Sequence, residues 1–465
     1  MRLWVAALAA LTLLRLILAA RIPLAPDEAY YALWAQDLQP GYFDHPPMVA
    51  LFIRLGTAIA GHNPLGIRLL GPLSAAIGAV LLWRGAEDFF PHRQAGFIAA
   101  ALLNATLVVG VGSIVMTPDT PLLLFWTAGI AALGRLVATD NPRWWLAIGA
   151  AAGAALLSKY TGFLFIGGVF VWLITTPPGR RTLRTVWPWA GLVVALLIFT
   201  PNFLWNADHN FVSYLKQGGR AGQFDPLRAG QFLLELVLGQ IGLVTPIILA
   251  LAVAGLWRLR RAPSPAGHLL IWLTVVPAVV FLEHVISGRV QANWPAILYP
   301  AACVAAASLP MASLRTWLTP ALALGFGLTA IVYAQGLAAI IPIPAKADPT
   351  ALNFSGWADL TAQVQTAAAS QHAAFITSDD YATVSEFAAY SMPGAIVIGA
   401  DARWHYFNLP AFPAGQTGIL VTRHLNAPCA DQLGVLTRNR KNSVIATYKL
   451  CRFTSPPGSV VLPAP

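Results

Sequence analysis

Charge is what this sequence has little of. Asp, Glu, Lys and Arg make up only 10% of its 465 residues, against roughly 25% in soluble domains. Hydrophobic residues make up 57%, and mean hydropathy is +0.64. Together these values exclude an ordinary cytosolic enzyme, a disordered chain, a coiled coil and a collagen-like repeat. Cysteine is scarce too: there are three, and they form no metal-ligand cluster. Cys303 sits in an apolar span and reads as inert packing. Cys429 and Cys451 lie near the C-terminus, where they pair if that end is outside the cytoplasm and stay reduced if it is not. Also lacking are a Gly-rich nucleotide loop, an internal repeat and any basic run with interleaved aromatics. The net charge of +10 comes mostly from Lys and Arg in short loops, so it does not point to nucleic acid.

What the sequence does have is serial apolar runs, each near the ~20 residues that cross a hydrocarbon slab of about 30 Å. They read at 3–20, 64–82, 94–112, 121–138, 144–158, 160–176, 187–205, 230–256, 267–286, 294–309 and 317–341. The expected fold is therefore an α-helical polytopic membrane protein with about eleven transmembrane helices. Arg2, the first apolar run and Ala19-Ala20 imitate a signal peptide, but Arg15 interrupts the run and the run reads as a retained helix. With the N-terminus inside, the cytoplasmic loops hold Arg84 and Arg93, Arg143, the Arg180-Arg181-Arg184 cluster, the Arg258-Arg260-Arg261 cluster and Arg315, in accord with the positive-inside rule. The opposite loops (21–63, 113–120, 206–228 and 287–294) carry acids, His, Asn, Gln and aromatics. Pro342, Pro344 and Pro349 then make a stiff linker. Beyond it the chain alternates like a small α/β domain. Ala373–Thr377, Ala395–Gly399, Gly418–Thr422 and Val444–Leu450 read as strands, and Ala382–Tyr390 reads as a helix. This divides the chain into a membrane domain, 1–341, and a C-terminal extracytoplasmic α/β domain, 342–465.

The residues that bear chemistry gather in the external loops. The first holds Asp27-Glu28-Ala29-Tyr30-Tyr31 and then Asp44-His45-Pro46-Pro47. A helix starting near Asp27 would put Asp27 at its cap, a common structural use of Asp after Pro. A proton-accepting role for Asp27 is the competing reading. Asp119 lies between Pro118 and Pro121 in the second loop. A carboxylate at a membrane boundary needs a partner or a role. Lys159, between Ser158 and Tyr160, either snorkels to the interface or holds a phosphate. Asn202, Asn206, Asp208, His209, Lys216 and Arg220 populate the loop at 206–228 and the end of the span before it. Glu283, His284, Arg289, Gln291, Asn293 and Trp294 form a late polar group. Asp27, Asp44, His45 and Asp119 are also residue types that hold a divalent ion, although no tight ligand spacing is present. Carboxylates, cations and aromatic faces on one side of a helical bundle suit an enzyme with a lipid-phosphate-linked donor.

This pattern resembles the GT-C superfamily of integral-membrane glycosyltransferases. More closely, it is similar to the bacterial branch with protein O-mannosyltransferases and the lipid A aminoarabinose transferase. The resemblance rests on Asp27-Glu28, Asp44-His45-Pro46-Pro47, Thr117-Pro118-Asp119, Ser158-Lys159-Tyr160 and Gln291-Ala292-Asn293-Trp294-Pro295. It implies transfer of a sugar from a polyprenyl phosphate, most often undecaprenyl phosphate, to an envelope acceptor: lipid A or lipopolysaccharide, another glycolipid or a protein. Displacement would invert the anomeric centre, with no nucleotide and no required cofactor. The catalytic set would be Asp27, Glu28 and Asp119. Lys159, Arg289 and Arg220 would hold the donor phosphate. Tyr30, Tyr31, Asp44, His45, Tyr160, Gln291, Asn293 and Trp294 would contact substrate. The location implied is a bacterial inner membrane, with the C-terminal domain in the periplasm. Ser378-Asp379-Asp380-Tyr381 and Ser385-Glu386-Phe387 resemble other relatives more than the aminoarabinose enzymes, which leaves sugar and acceptor open. The rival reading is a transporter or flippase of lipid-linked sugars. That function asks for polar groups near the membrane midplane, whereas the spans here are nearly clean at their centres.

Overall fold

The computed structural model describes residues 2–91, 94–219 and 225–463; Arg93 and Arg220 lie outside the described residues. Among the described residues, seven helices are long and apolar enough to cross a membrane: Arg2–Arg21, Pro64–Phe89, Asp119–Thr139, Trp187–Asp208, Pro226–Val244, Pro265–Val285 and Met311–Ala338. Met48–Ala60, Ala95–Asn104, Trp144–Ser158, Tyr160–Thr175 and Trp294–Ala306 are shorter apolar helices. The protein is thus a multi-span membrane protein. Among the described residues every expected span contains a helix, and several of them break; two of the breaks have a clear local cause. The 94–112 run divides after Asn104, with Thr106 capping the next turn through its hydroxyl. The 230–256 run divides at Thr245, whose φ of 70° is followed by Pro246 at the start of a new helix. Proline has no N–H to continue the preceding helix and suits the first turn of the next.

The chain forms two compact units. The first comprises 1–16, 44–49 and 71–331; the second comprises 17–43, 50–70 and 332–465. In the first unit, helices approach through small residues. A side chain added at Gly149 would lie 2.0 Å from the carbonyl oxygen of Gly191, so the Trp144–Ser158 and Trp187–Asp208 helices touch backbone to backbone there. This is how helices associate where lipid supplies no hydrophobic drive. Large apolar side chains remain on the outside, Val193 and Leu197 among them, as a lipid-facing surface requires. Arg15 is buried and donates through Nη1 to Asn104 Oδ1 at 2.8 Å. That hydrogen bond gives the arginine, set in an apolar helix, a polar partner.

The second unit carries the sheet. Strands β1 (Ile376–Ser378), β3 (Thr417–Thr422), β5 (Ser443–Thr454) and β4 (Gln432–Arg440) pair in the order β1-β3-β5-β4, and β2 (Ile398–Gly399) pairs with β6 (Val460–Val461). The β1–β3 pair is parallel and the other pairs are antiparallel. β4 is not among the expected strands. It is an edge strand with register shifts at Gln432/Gly434 and Arg438/Asn439, and its apolar run, Leu433-Gly434-Val435-Leu436, is short and interrupted by glycine. Pro349, expected in a linker, instead opens the helix Pro349–Phe354, which Asp348 caps through its side chain. Cys429 and Cys451 form a disulfide, and Cys303 is free and buried.

Candidate functional site

Chemistry-bearing side chains gather into one cluster in each unit. In the second unit, the helix runs Pro26–Trp34, starting two residues ahead of a helix capped by Asp27. Ala25, not Asp27, is its N-cap residue. The cap interaction comes from Glu28, whose Oε2 accepts the Ala25 N–H at 2.9 Å. Glu28 is fully buried and forks onto Arg68: Nε donates to Oε1 at 2.7 Å and Nη2 to Oε2 at 2.5 Å. Arg68 also donates to the carbonyls of Ala19, Ile22 and Pro23. A bidentate pair with extra hydrogen bonds is the arrangement that compensates desolvation of two charges. Glu28 therefore faces inward, and Asp27, its neighbour in sequence, is exposed. Asp27 Oδ1 accepts a hydrogen bond from the Tyr381 hydroxyl at 3.0 Å.

Tyr30 and Tyr31 are buried, and Tyr30 packs edge-on against Trp34 and Trp404. Tyr30 thus belongs to an aromatic core under Asp27. Arg403 lies over three rings: 4.0 Å from the Tyr381 centroid, 5.3 Å from that of Phe43 and 5.4 Å from that of Tyr30. Deeper in the same unit Glu386 is fully buried, and neither carboxyl oxygen has a hydrogen-bond partner among the described residues. Burial pushes its carboxyl well above the ordinary range. Glu28 adds to this, while Arg438 and Arg68 oppose it. Burial likewise raises the nearby Tyr390 phenol to about 12.

In the first unit, Lys159 is the extended residue between the helices Trp144–Ser158 and Phe163–Thr175, ahead of the short 3-10 turn Tyr160–Gly162. The tight return depends on Gly162, where a Cβ would lie 2.5 Å from the carbonyl carbon of Ala155. The turn aims Lys159 Nζ at Asp119 Oδ1, 2.7 Å away, and both side chains are largely buried. Asn293 Nδ2 donates to the other oxygen of Asp119 at 2.6 Å. The Trp294 ring lies 5.7 Å from the ammonium. The second external loop, the turn at Lys159 and the late polar group thus converge on one carboxylate. Gln240, outside the expected set, steadies that turn by donating to the Ala292 carbonyl at 3.0 Å while the Tyr299 hydroxyl donates to it.

A cavity of about 270 Å³ opens beside this ion pair, lined by His45, Lys159, Tyr160, Phe281, His284 and Trp294 among others. Asn206 Nδ2 donates to the Tyr160 hydroxyl at 3.3 Å, and Gln217 donates to the Asp44 carbonyl at 2.6 Å. The lining therefore combines a cation, two imidazoles, a phenol and an indole face, and the Asp119 carboxylate pairs with the cation. Such a wall suits an anionic head group followed by an apolar tail. Arg289 is mostly exposed and pairs with Glu235 at 2.7 Å; Gln291 is exposed. Arg220, expected as a phosphate ligand, lies outside the described residues. Among the described residues, no group of three His, Cys, Asp or Glu side chains is placed to hold a metal ion.

Residues 44–205 match the family described as dolichyl-phosphate-mannose-protein mannosyltransferase. A lipid A galacturonosyltransferase of Rhizobium johnstonii is 29% identical over 285 residues, 60% of this chain and 59% of that protein. An undecaprenyl phosphate-alpha-4-amino-4-deoxy-L-arabinose arabinosyl transferase of Pseudomonas fluorescens is 28% identical over 287 residues, 55% of this chain and 50% of that protein. The chain thus spans between half and about three-fifths of the length of these two relatives. In fold it is similar to ArnT from Cupriavidus metallidurans bound to undecaprenyl phosphate, with a TM-score of 0.66, 18% identity and 99% of both chains covered. The apo form of the same protein gives 0.64 at 17% identity, covering 96% of this chain and 97% of that one. With its multi-span helices and small C-terminal sheet, the chain is thus similar in sequence to these transferases over part of its length and shares its fold with ArnT.

Proposed function

We propose that the chain is a glycosyltransferase moving a sugar from a polyprenyl-phosphate donor to an acceptor in the bacterial envelope: lipid A or lipopolysaccharide, another glycolipid or a protein. The observation that carries this reading is Lys159 on the wall of a largely apolar cavity, held there by Asp119, which Asn293 holds in turn. The relatives support it, since one is named for galacturonosyl transfer to lipid A and another for an undecaprenyl-phosphate-linked sugar. The transporter alternative gains no support from them, because both are named transferases.

In the proposed step an acceptor hydroxyl oxygen bonds to the anomeric carbon as the bond from that carbon to the phosphate oxygen breaks. The electron pair leaves on polyprenyl phosphate, and the hydroxyl proton passes to Asp27. As a separate proposal within the first unit, Lys159, held in place by Asp119, is the cation that would bind a donor phosphate in the cavity beside it. Trp294, His45 and Tyr160 line the donor cavity, with Gln291 and Asp44 nearby in sequence. Glu28 acts from beneath, fixing the helix that presents Asp27, and Tyr30 and Tyr31 support that helix. Arg289 and Arg220 remain proposed as further phosphate contacts. The proposed site is the periplasmic side of an inner membrane; the Cys429–Cys451 disulfide supports an oxidising compartment for the C-terminal region.

The test is purified protein given a synthetic polyprenyl-phosphate sugar and candidate acceptors, with released polyprenyl phosphate as readout. Asp27→Asn is expected to abolish release while the protein stays folded. Unchanged release in that variant removes Asp27 from the chemistry.

A further inference from the structure

Tyr381 lies 354 residues from Asp27 in sequence, yet its hydroxyl donates to the Asp27 carboxylate. Its own position is tightly determined. It opens the helix Tyr381–Tyr390, capped by Asp380, whose oxygens accept from the N–H groups of Ala382 and Thr383 and from the Thr383 hydroxyl. The Tyr30 ring stands 4.8 Å from the Tyr381 ring. The guanidinium of Arg403 stands 4.0 Å from the Tyr381 centroid and is closer to this ring than to Tyr30 or Phe43. Arg403 is anchored in turn by its backbone N–H, which donates to Asp401 Oδ1 at 2.8 Å, and by Nη1 reaching the Tyr30 hydroxyl at 3.5 Å.

Two physical consequences follow. A cation over a phenol ring draws electron density from it and strengthens the O–H as a donor. A stronger donor favours the ionised form of the carboxylate that accepts it and holds that carboxylate in one rotamer. Asp27 itself stands exposed on the first turn of its helix, where a fixed donor helps to set its rotamer.

We propose that Tyr381, polarised by Arg403, is the positioning residue of the transfer reaction: it orients the Asp27 carboxylate and keeps it ionised for the acceptor proton. This rests on the reading of Asp27 as the base. Neither Tyr381 nor Arg403 touches the reacting atoms in this scheme.

The experiment follows kcat/KM against pH for wild type, Tyr381→Phe, Arg403→Gln and Asp27→Asn, with donor KM and melting temperature recorded for each. Loss of the phenol donor is expected to move the acid limb of Tyr381→Phe upward by about one pH unit, a tenfold change in the proton equilibrium. Its kcat falls and its donor KM stays at the wild-type value. Arg403→Gln moves the limb in the same direction by less. If Tyr381→Phe fails to fold, 3-fluorotyrosine at position 381, a more acidic phenol of nearly the same shape, serves instead and moves the limb to lower pH. An acid limb at the wild-type pH in Tyr381→Phe or in the fluorotyrosine protein overturns the proposal. So does a raised donor KM in Arg403→Gln with an unmoved limb, which makes Arg403 a substrate contact. An inactive Asp27→Asn alongside an unmoved Tyr381→Phe limb sinks this inference alone; an active Asp27→Asn sinks the reading beneath it.

Discussion

Arg68 directs its Nε, Nη1 and Nη2 donors at Glu28 and at the carbonyls of Ala19, Ile22 and Pro23, with both partners of the ion pair wholly buried. The two acids of the Asp27-Glu28 pair are therefore different in kind: one is a strut and the other is exposed. Removing either end of the strut leaves a buried charge uncompensated, which costs roughly 3–5 kcal/mol. Arg68→Ala and Glu28→Ala are expected to lower the melting temperature sharply, and Asp27→Asn to leave it within a degree or two. Equal melting temperatures for all three variants would remove the distinction.

Lys159 is held by Asp119 and faces Trp294 beside the cavity. Lys159→Ala is expected to raise the donor KM tenfold or more, about 1.4 kcal/mol or more of binding. Trp294→Ala is expected to have a smaller effect, on the order of the 0.5–2 kcal/mol of a cation–π contact. Titration of the purified variants with polyprenyl phosphate checks both. Unaltered affinity in Lys159→Ala leaves the lysine no part in holding the donor.

Glu386 gives stability a pH dependence of definite sign. Burial, aided by Glu28 and opposed by Arg438 and Arg68, keeps its proton on in the folded protein well above its ordinary value of 4.5. Below about pH 4.5 folded and unfolded chains both hold that proton, and the contribution is fully present. As pH rises further the unfolded chain ionises and the folded one does not. Stability then declines until Glu386 itself ionises in the fold. Glu386→Gln removes this dependence, so it is expected to melt higher than wild type at pH 7 and to lose that advantage near pH 4. Parallel melting curves across that range would place the charge elsewhere.

Gly162 governs the turn that aims Lys159. A Cβ there meets backbone atoms of Ala155 and Leu156 at 2.5–2.7 Å. Backbone cannot yield as a side-chain tip can, so Gly162→Val is expected to cost about 1–3 kcal/mol of stability and to raise donor KM together with it. Gly78→Ala, inside a helix where a Cβ meets nothing within 4 Å, is the control: it keeps the wild-type donor KM and does not lower stability. A Gly162→Val protein with wild-type donor KM would uncouple the turn from the lysine.

Periodic apolar composition exposes the spans, because a membrane asks for length and little else. It conceals the break at Thr245, since the residues on both sides are equally apolar; Pro246 was the available signal. The convergence of Asp119, Lys159 and Asn293 is half legible. Each stands out as polar at an apolar boundary, but only folding brings residues 40 and 174 positions apart onto one carboxylate. Arg68 is hidden because an arginine at the head of an apolar span reads as topology. Tyr381 and Arg403 are hidden by distance along the chain and by their setting in a region that reads as ordinary α/β. β4 is hidden because its apolar residues are few, broken by Gly434 and followed by the polar stretch Thr437–Arg440.

The bond between Cys429 and Cys451 makes the protein its own reporter of sidedness. The third cysteine, Cys303, is fully buried and stays silent to a water-soluble maleimide. Intact cells treated with a membrane-impermeant reductant and then that maleimide are expected to label this chain. Labelling confined to lysed cells would turn the C-terminal sheet to the cytoplasm.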